Sequence, residues 1–326
     1  MSKRPVSESK HFDLVSLADG AYACIHRPGG GALSNAGIID LGDRTLLVDA
    51  MGTLTAGREL RATAETLFGR RVSAIILTHP HDDHWIGASA FDAESLFIAS
   101  ETARTACVPV GEELVKDYQD RAAWEAELRR LEERLATEKD GRMRVSLTNG
   151  IARTRLVMAE MAEYAPRYAD LTFTGGVTLR GSRRTMEVHA LGRGHSVDDV
   201  AFLLPDDGIA FIGDVGFFDT QPYLGDSDID LYRKQLRFFL AAKFQVLVPG
   251  HGPVGGHAEA GRELAYFDAM EELIGKIVAR GGSLDEAKQI ALPAPFDEWL
   301  VGGMNRFADN VRCIFRRLGG ECPKEG

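Results

Sequence analysis

Apolar residues in the first hundred positions fall into short runs bounded by glycine, aspartate or proline, a pattern typical of β-strands. These runs predict strands at residues 21–27, 38–41, 45–49, 72–77 and 96–99, and a helix at 55–70. The order is a hairpin, a helix and then further strands. It favours an α/β protein built as a four-layer αββα sandwich, in which two sheets pack face to face and helices cover the outside.

A second block of strands follows residue 170 and resembles the first. Strands are predicted at residues 171–173, 177–179, 186–191, 200–204, 209–212 and 246–248. The Asp-Asp-Gly turn at 206–208 predicts a hairpin between two of them. A helix is predicted at 231–243, and a helical C-terminal part extends from about 256 to 318, with a proline-rich break at 293–295. Two similar β-rich blocks are expected of a sandwich made of two sheets.

Residues 101–170 interrupt the pattern, because they contain no convincing strand. Helices are predicted at 121–139 and at 151–163, which makes this block a helical insertion. The first helix carries one apolar stripe, at Trp124, Leu128, Leu131 and Leu135. The stripe predicts either a helical hairpin packed on its own domain, or a lid over the substrate pocket, or a contact in a homo-oligomer.

Composition and charge narrow the classes of protein. The chain has 326 residues, 44% of them hydrophobic, and a formal net charge of −10, which argues against nucleic acid and anionic membranes as partners. Residues 1–10 are polar and predicted to be a disordered tail, and residues 11–326 a single domain. The tail lacks the apolar core of a secretory signal, and no run is long enough to span a bilayer, so a cytoplasmic location is predicted. The cysteines have no metal-binding spacing and are predicted to be reduced thiols: Cys24, Cys107, Cys313 and Cys322.

The most informative stretch is residues 78–84, which read Thr-His-Pro-His-Asp-Asp-His directly after the apolar strand at 72–77. Imidazole and carboxylate together suit zinc and neighbouring transition metals. In an extended segment, residues two apart project from the same face, so His79 and His81 can hold one ion. Asp83 and His84 then turn to a different side, where they can hold a second ion.

This His-x-His-x-Asp-His pattern at the end of a strand resembles the signature of the metallo-β-lactamase fold superfamily. Further motifs follow in the order that the superfamily predicts: Gly-His-Ser at His195, Gly-Asp at Asp214 and Pro-Gly-His-Gly at His251. The resemblance extends over about residues 12–260. It implies that His79, His81 and His195 hold one metal, that Asp83, His84 and His251 hold another, and that Asp214 bridges the two.

The resemblance also implies a chemistry. Two zinc ions per chain, with iron or manganese as alternatives, would share a hydroxide that attacks an electrophilic centre. Asp83 would take the proton from the attacking water. Asp214 resembles the bridging residue of the hydroxyacylglutathione hydrolase, lactonase and phosphodiesterase branches, which the class B β-lactamases lack. A mononuclear iron enzyme similar to persulfide dioxygenases is the alternative, and a metal-free scaffold protein is disfavoured by the complete ligand set.

Several residues near the motifs are candidates for the substrate pocket or for orienting the ligands. Ser34 and Asn35 lie in a loop that faces the metals in the resembling family. Aromatic side chains follow the ligand motifs directly, and each either lines an apolar pocket or packs in the core: Trp85, Phe217, Phe218 and Tyr223. Tyr223 is a candidate hydrogen-bond donor to a developing oxyanion. Asp49 ends a buried strand and either orients a ligand or caps a turn.

The expected substrate is a small, largely uncharged ester, lactone, thioester or other activated carbonyl or aryl compound. Polyanions call for clustered Lys and Arg, and the ligand motifs have only Arg193 beside them. The superfamily also includes enzymes that cleave activated aryl ethers, β-lactams and phosphodiesters, and these stay as alternatives. Arg153, Arg155 and Arg167 of the insertion could still fold over the site.

Overall fold

The computed structural model describes residues 5–301 and 306–321. Its strands are β1 Pro5–Glu8, β2 Phe12–Ala18, β3 Ala21–His26, β4 Ala36–Asp40, β5 Thr45–Val48, β6 Val72–Ile76, β7 Leu96–Ser100, β8 Leu171–Phe173, β9 Val177–Arg180, β10 Thr185–Gly192, β11 Asp199–Leu204, β12 Ile209–Phe217 and β13 Val246–His251. Its α-helices are α1 Leu54–Phe68, α2 Glu101–Gln119, α3 Arg121–Thr137, α4 Gly141–Glu160, α5 Ile229–Ala241, α6 His257–Ala279, α7 Leu284–Ala287 and α8 Arg306–Arg317. Among the described residues, no helix is both long and apolar enough to cross a membrane.

The strands form two sheets. The first has eight strands in sequence order from β1 to β8, antiparallel up to β5 and parallel from there on. The second has five strands in the order β13-β12-β11-β10-β9, and only β12 and β13 run parallel. Parallel neighbours need a crossover, and the helices α1, α2 and α5 lie in those connections.

The two sheets face each other across one apolar layer. Ile39 and Ile76 of the first sheet lie in the same buried cluster as Phe202 and Phe211 of the second. The sheets approach closely at Gly37, where an added Cβ would lie 2.6 Å from the Phe211 ring. A side chain larger than hydrogen would therefore push the sheets apart.

Helices cover the outer face of each sheet. Helices α1 and α2 contribute to a buried cluster with the first sheet, and α5, α6 and α8 to another with the second. The predicted four-layer αββα sandwich is thus confirmed. Helix α1 begins where the Thr53 hydroxyl accepts a hydrogen bond from the backbone N–H of Ala56.

The insertion is helical up to Glu160, and it contains three helices where the sequence predicted two. Helix α2 was not predicted, and α4 begins at Gly141 because the Asp140 side chain caps it, ten residues before the predicted start. The apolar stripe of α3 packs mainly on α4, with Leu131 against Leu147 and Ile151. The stripe therefore has its partner within the same chain, and an oligomeric contact through this block stays a prediction.

Two further expectations were wrong in detail, and a third was confirmed. Residues 5–8 form a strand paired with β2, where a disordered tail was predicted, while residues 1–4 lie outside the described part. The apolar residues 85–91 after the first metal motif predict the start of a helix, but the structure has a pair of short 3₁₀ turns there, Asp82–His84 and Ile86–Ala90. The helical C-terminal part and its break are present, although residues 302–305 and Cys322 fall outside the described residues.

Candidate metal centre

The seven predicted ligands come together from four strands and the segments that follow them. His79 and His81 lie in the loop after β6, and Asp83 and His84 lie in the 3₁₀ turn that follows. The remaining three are His195 after β10, Asp214 within β12 and His251 at the end of β13. They form two groups, and in each group the ligand atoms lie within 4.8 Å of one another: His79, His81, His195 and Asp214 in one, Asp83, His84 and His251 in the other.

The carboxylate of Asp214 connects the two groups. Its Oδ2 lies 3.2 Å from His195 Nε2, a member of the first group, and 3.4 Å from His251 Nε2, a member of the second. Its Oδ1 lies 3.1 Å from His84 Nε2. The backbone leaves room for this carboxylate at Gly250, where an added Cβ would lie 1.8 Å from Asp214 Oδ1. One residue can therefore bridge ions held by the two groups.

Several of the predicted ligand atoms are buried without a hydrogen-bond partner, as expected of atoms that bind a metal ion. His79 Nε2, His84 Nε2 and Asp214 Oδ1 are buried without a hydrogen-bond partner. His195 Nε2 and His81 Nδ1 face each other at 3.1 Å. Buried polar atoms are normally paired, so unpaired imidazole and carboxylate atoms converging on one point indicate a site for ions such as zinc.

Asp49 orients two of the ligands. Its Oδ2 lies 2.8 Å from His84 Nδ1, and its Oδ1 accepts a hydrogen bond from the backbone N–H of Thr78 at 2.8 Å. The Thr78 hydroxyl donates to Asp49 Oδ2 and lies 3.0 Å from His79 Nδ1. Asp49 is fully buried with a φ of 61°, a conformation that aspartate tolerates better than most residues. Of the two interpretations of Asp49, the structure agrees with the orienting one.

Ser34 and Asn35 hold the ligand loops in place and do not line the pocket. The Ser34 hydroxyl donates to the backbone oxygen of Asp83 at 2.6 Å. The Asn35 amide donates to the backbone oxygens of Pro249 and Gly252, each at 2.9 Å. Both side chains are buried, so the prediction that they bind substrate directly is corrected: they act on the segments that carry Asp83 and His251.

The protonation of the ligands follows from burial and mutual attraction. Burial alone raises the pKa of the Asp214 carboxyl, but the facing imidazoles, His251 and His84 foremost, hold that pKa well below its usual value. Burial alone lowers the pKa of His251, yet the Asp214 carboxylate raises it to about 9. Burial, with His84 nearby, keeps the pKa of His79 well below its usual value. The Asp214 carboxylate favours protonated imidazoles beside it, and a bound metal ion would take the place of those protons.

A cavity of about 760 Å³ opens onto the ligands, and two of the predicted aromatic residues line it. The Phe217 ring stacks on His251 at 4.8 Å, and the Tyr223 ring meets His81 edge-on at 5.7 Å. Trp85 and Phe218 do not line the cavity, because both are buried in helix-facing clusters. The Trp85 indole N–H donates to the backbone oxygen of Pro80 at 3.0 Å, so Trp85 supports the metal loop from behind.

The cavity wall includes residues that the sequence did not single out. His26 at the end of β3 lies 5.9 Å from the His251 ring, and burial lowers its pKa to about 4. The Asp226 carboxylate lies 3.3 Å from His81 Nε2. Arg27 and Arg306 also line the cavity. The alternating pattern of β3 could have indicated that His26 lies at the end of a strand. No local pattern indicated Arg306, which lies in the last helix.

Of the arginines considered from the sequence, only Arg153 reaches the cavity, where its guanidinium is 2.8 Å from the Asp82 carboxylate. Arg155 pairs with Glu132 within the insertion, and Arg167 bonds to the turn before β7. Arg193 is not among the residues that line the cavity. The insertion therefore does contribute to the pocket wall.

Two facing sheets, outer helices and a histidine-aspartate cluster at the strand ends define a candidate metalloprotein of the αββα class. The chain belongs to the metallo-β-lactamase superfamily, whose family model matches residues 29–251. No curated protein sequence matches it.

Solved structures show the same fold. A metallo-β-lactamase from Pontibacter korlensis superposes with a TM-score of 0.55 at 18% identity, over 78% of this chain and 97% of the other. Those from Hirschia baltica and Erythrobacter litoralis give TM-scores of 0.54 and 0.53 at 18% and 20% identity, each over 79% of this chain and 97% of the other. At these identities the likeness shows the fold alone.

Proposed function

We propose that this protein is a metal-dependent hydrolase that holds two zinc ions and cleaves a small ester, lactone, thioester or other activated bond. The observation that carries the proposal is the pair of ligand groups joined by the Asp214 carboxylate at one end of a cavity. His79, His81 and His195 would hold one ion, and Asp83, His84 and His251 the other.

Each part of the site has a proposed role. When bound, the metal ions would supply Lewis acidity, which lowers the pKa of water and polarises the bond under attack. Asp83 lines the cavity with its Oδ2 3.3 Å from His251 Nε2, where it can accept a proton from water. Tyr223 lines the cavity beside His81, where its hydroxyl can donate to a developing oxyanion. Phe217 covers His251 and keeps bulk water off that side.

The shape and charge of the cavity support a small substrate. A volume of about 760 Å³ lies in the range of pockets for small molecules. Five carboxylates line the wall, and two of them, Asp83 and Asp214, are proposed metal ligands: Asp82, Asp83, Glu127, Asp214 and Asp226. Bound ions would neutralise the two ligands, and Arg153 pairs with Asp82, which leaves Glu127 and Asp226 to disfavour polyanions. We therefore propose small-molecule substrates and no nucleic-acid partner.

A hydrolysis screen tests the proposal. Zinc-loaded protein is offered chromogenic aryl esters, lactones, thioesters, a phosphodiester and a cephalosporin, the last because the structural neighbours are metallo-β-lactamases by name. The same protein after chelation and the Asp214→Asn variant serve as controls, and both should lose turnover. The proposal fails if chelated and zinc-loaded protein act alike, or if purified protein holds one iron, no zinc, and consumes oxygen with a persulfide.

A further inference from the structure

Arg306 is a cation in the metal cavity that lacks an ionic partner. Among residues 5–301 and 306–321, none places a carboxylate at ion-pair distance from its guanidinium, and its one hydrogen bond is a long one of 3.4 Å to the backbone oxygen of Gln221. The other two arginines in the wall are neutralised, Arg27 by Asp13 and Arg153 by Asp82. Arg306 is therefore the cavity arginine left for a ligand.

The guanidinium lies close to both ligand groups. Its central carbon is 5.8 Å from the centre of the Phe217 ring and 5.1 Å from that of Tyr223. Phe217 stacks on His251, and Tyr223 contacts His81. The two rings offer the cation a favourable electrostatic contact but no counter-charge. A partly buried cation in such a place gains most from an anion that enters the cavity.

The position of Arg306 is set by its helix. One turn further along α8, Asn310 is fully buried, accepts a hydrogen bond from Leu224 N–H at 3.2 Å and donates to Pro222 O at 2.7 Å. These bonds fix α8 against the segment that carries Tyr223. A cation on a fixed helix can orient a ligand, because its location does not depend on a flexible loop.

We propose that Arg306 forms a subsite for one carboxylate group of the substrate, placed beside the metal ligands. This inference rests on the proposed hydrolase function and narrows its substrate to a small hydrolysable compound that carries a single carboxylate. One unpaired guanidinium in a wall that also contains Glu127 and Asp226 matches a monoanion and disfavours a dianion or polyanion. The planar guanidinium can also bind both carboxylate oxygens at once. The sequence-based expectation of a largely uncharged substrate changes in this one respect.

The first test measures binding without turnover. Calorimetric titrations compare benzoate with its neutral analogue benzamide on zinc-loaded wild type, Arg306→Gln, Arg306→Lys and the control Arg155→Gln, all at matched metal content. Wild type and the control should prefer benzoate. Arg306→Gln should lose about 10- to 100-fold of that preference, because charge-assisted hydrogen bonds disappear. Arg306→Lys should keep part of it, because the charge remains.

The outcomes separate binding from a structural role. The proposal is overturned if benzoate binds wild type and Arg306→Gln equally, if benzoate does not bind wild type at all, or if phenyl phosphate binds better than benzoate. It is also overturned if Arg306→Gln lowers the midpoint of thermal unfolding and Arg306→Lys restores none of the preference.

A second test uses turnover. Matched 4-nitrophenyl esters with and without a distal carboxylate give a ratio of kcat/KM, which should fall about 10- to 100-fold in Arg306→Gln and stay unchanged in Arg155→Gln. An unchanged ratio in Arg306→Gln overturns the subsite. If wild type hydrolyses neither ester nor any other compound of the screen, the hydrolase function fails, and the calorimetric result still decides the role of Arg306.

Discussion

Some residues that are not predicted ligands orient the ligands through hydrogen bonds. The Asp49 carboxylate receives hydrogen bonds from Thr78 and lies against His84, so one buried side chain sets the direction of a ligand and of the loop before it. Such partners fix the orientation of an imidazole and increase its basicity towards a metal.

Asp49→Asn should weaken metal binding by about 10- to 100-fold, mainly at the group of Asp83, His84 and His251. Three donor groups converge on the two oxygens of Asp49, and an asparagine offers one oxygen and one NH₂, so at least one donor would face another. Competition with a chromogenic zinc chelator measures the affinity. The exposed Asp43→Asn is the control, and equal affinities in both variants would contradict the role of Asp49.

Glu263 is a buried acid behind the metal centre that is neutral in the folded protein. The Tyr232 hydroxyl lies 2.8 Å from the backbone oxygen of Asp214 and 2.6 Å from Glu263 Oε1. A hydroxyl has one hydrogen, so both contacts are satisfied only if the Glu263 carboxyl donates in its protonated form. Burial raises the pKa of Glu263 to about 8, although Tyr232 and the N–H of Phe217 act in the opposite direction.

The raised pKa predicts a stability that depends on pH. The folded form retains the Glu263 proton from the ordinary value of 4.5 up to about 8, so the stabilisation is complete below 4.5 and declines as the pH rises to about 8. Between pH 5 and 8, the unfolding free energy of the wild type should fall relative to Glu263→Gln by roughly 1.4 kcal/mol per pH unit. Urea unfolding of the chelated proteins measures this difference, and a constant difference would falsify the assignment.

Among the helices, one carboxylate of the insertion caps a helix of the sandwich. Glu160 at the end of α4 accepts hydrogen bonds from the backbone N–H groups of Leu54 and Thr55, each at 2.8 Å, and from the Thr55 hydroxyl. These are free donors at the first turn of α1, where a negative charge is favourable. The insertion thereby caps a helix of the sandwich and lines the cavity with α4.

Glu160→Ala should lower the free energy of unfolding by about 2 kcal/mol, because it removes charge-assisted bonds and leaves buried N–H groups unpaired. Glu163→Ala is a matched control, since Glu163 is exposed and pairs only with Arg58, and it should change stability by less than about 0.5 kcal/mol. Denaturant titrations of both variants give the comparison. Equal losses would mean that the cap adds nothing specific.

In the molecule as a whole, the candidate metal site lies between the two sheets. Ligands follow β6 in the first sheet and lie in or after β10, β12 and β13 in the second. An ion bound by both halves stabilises the folded state by mass action, because the unfolded chain does not bring these ligands together.

Removing metal should therefore lower the midpoint of thermal unfolding, and about two equivalents of zinc should restore it. Elemental analysis of protein purified without chelator should find about two metals per chain, mainly zinc.

Asp214→Asn should fold, bind less metal and respond less to chelation, since the residue belongs to a strand but its carboxylate points at the ligands. Midpoints that do not change on chelation would argue against a structural contribution of the metals.

The sequence was enough to predict the sandwich and to name the seven side chains that the structure brings together. The histidines and aspartate crowded after the strand at 72–77 indicated His79 from the residues themselves. His195 and His251 were predicted because their motifs resemble those of the superfamily. Turn residues and apolar alternation likewise located most strands, although β1 and β2 were missed.

Only the tertiary structure decided which neighbours of the ligands face the cavity. Trp85 and Phe217 both follow a ligand motif, yet one is buried behind the metal loop and the other covers His251, because the direction of a side chain depends on the backbone around it. Arg306 and Glu160 reach the site and its frame from helices far away in the sequence. Contacts between residues so far apart in the sequence produce no local hydrophobic pattern. The positions of Arg306 and Glu160 therefore could not be predicted from local pattern.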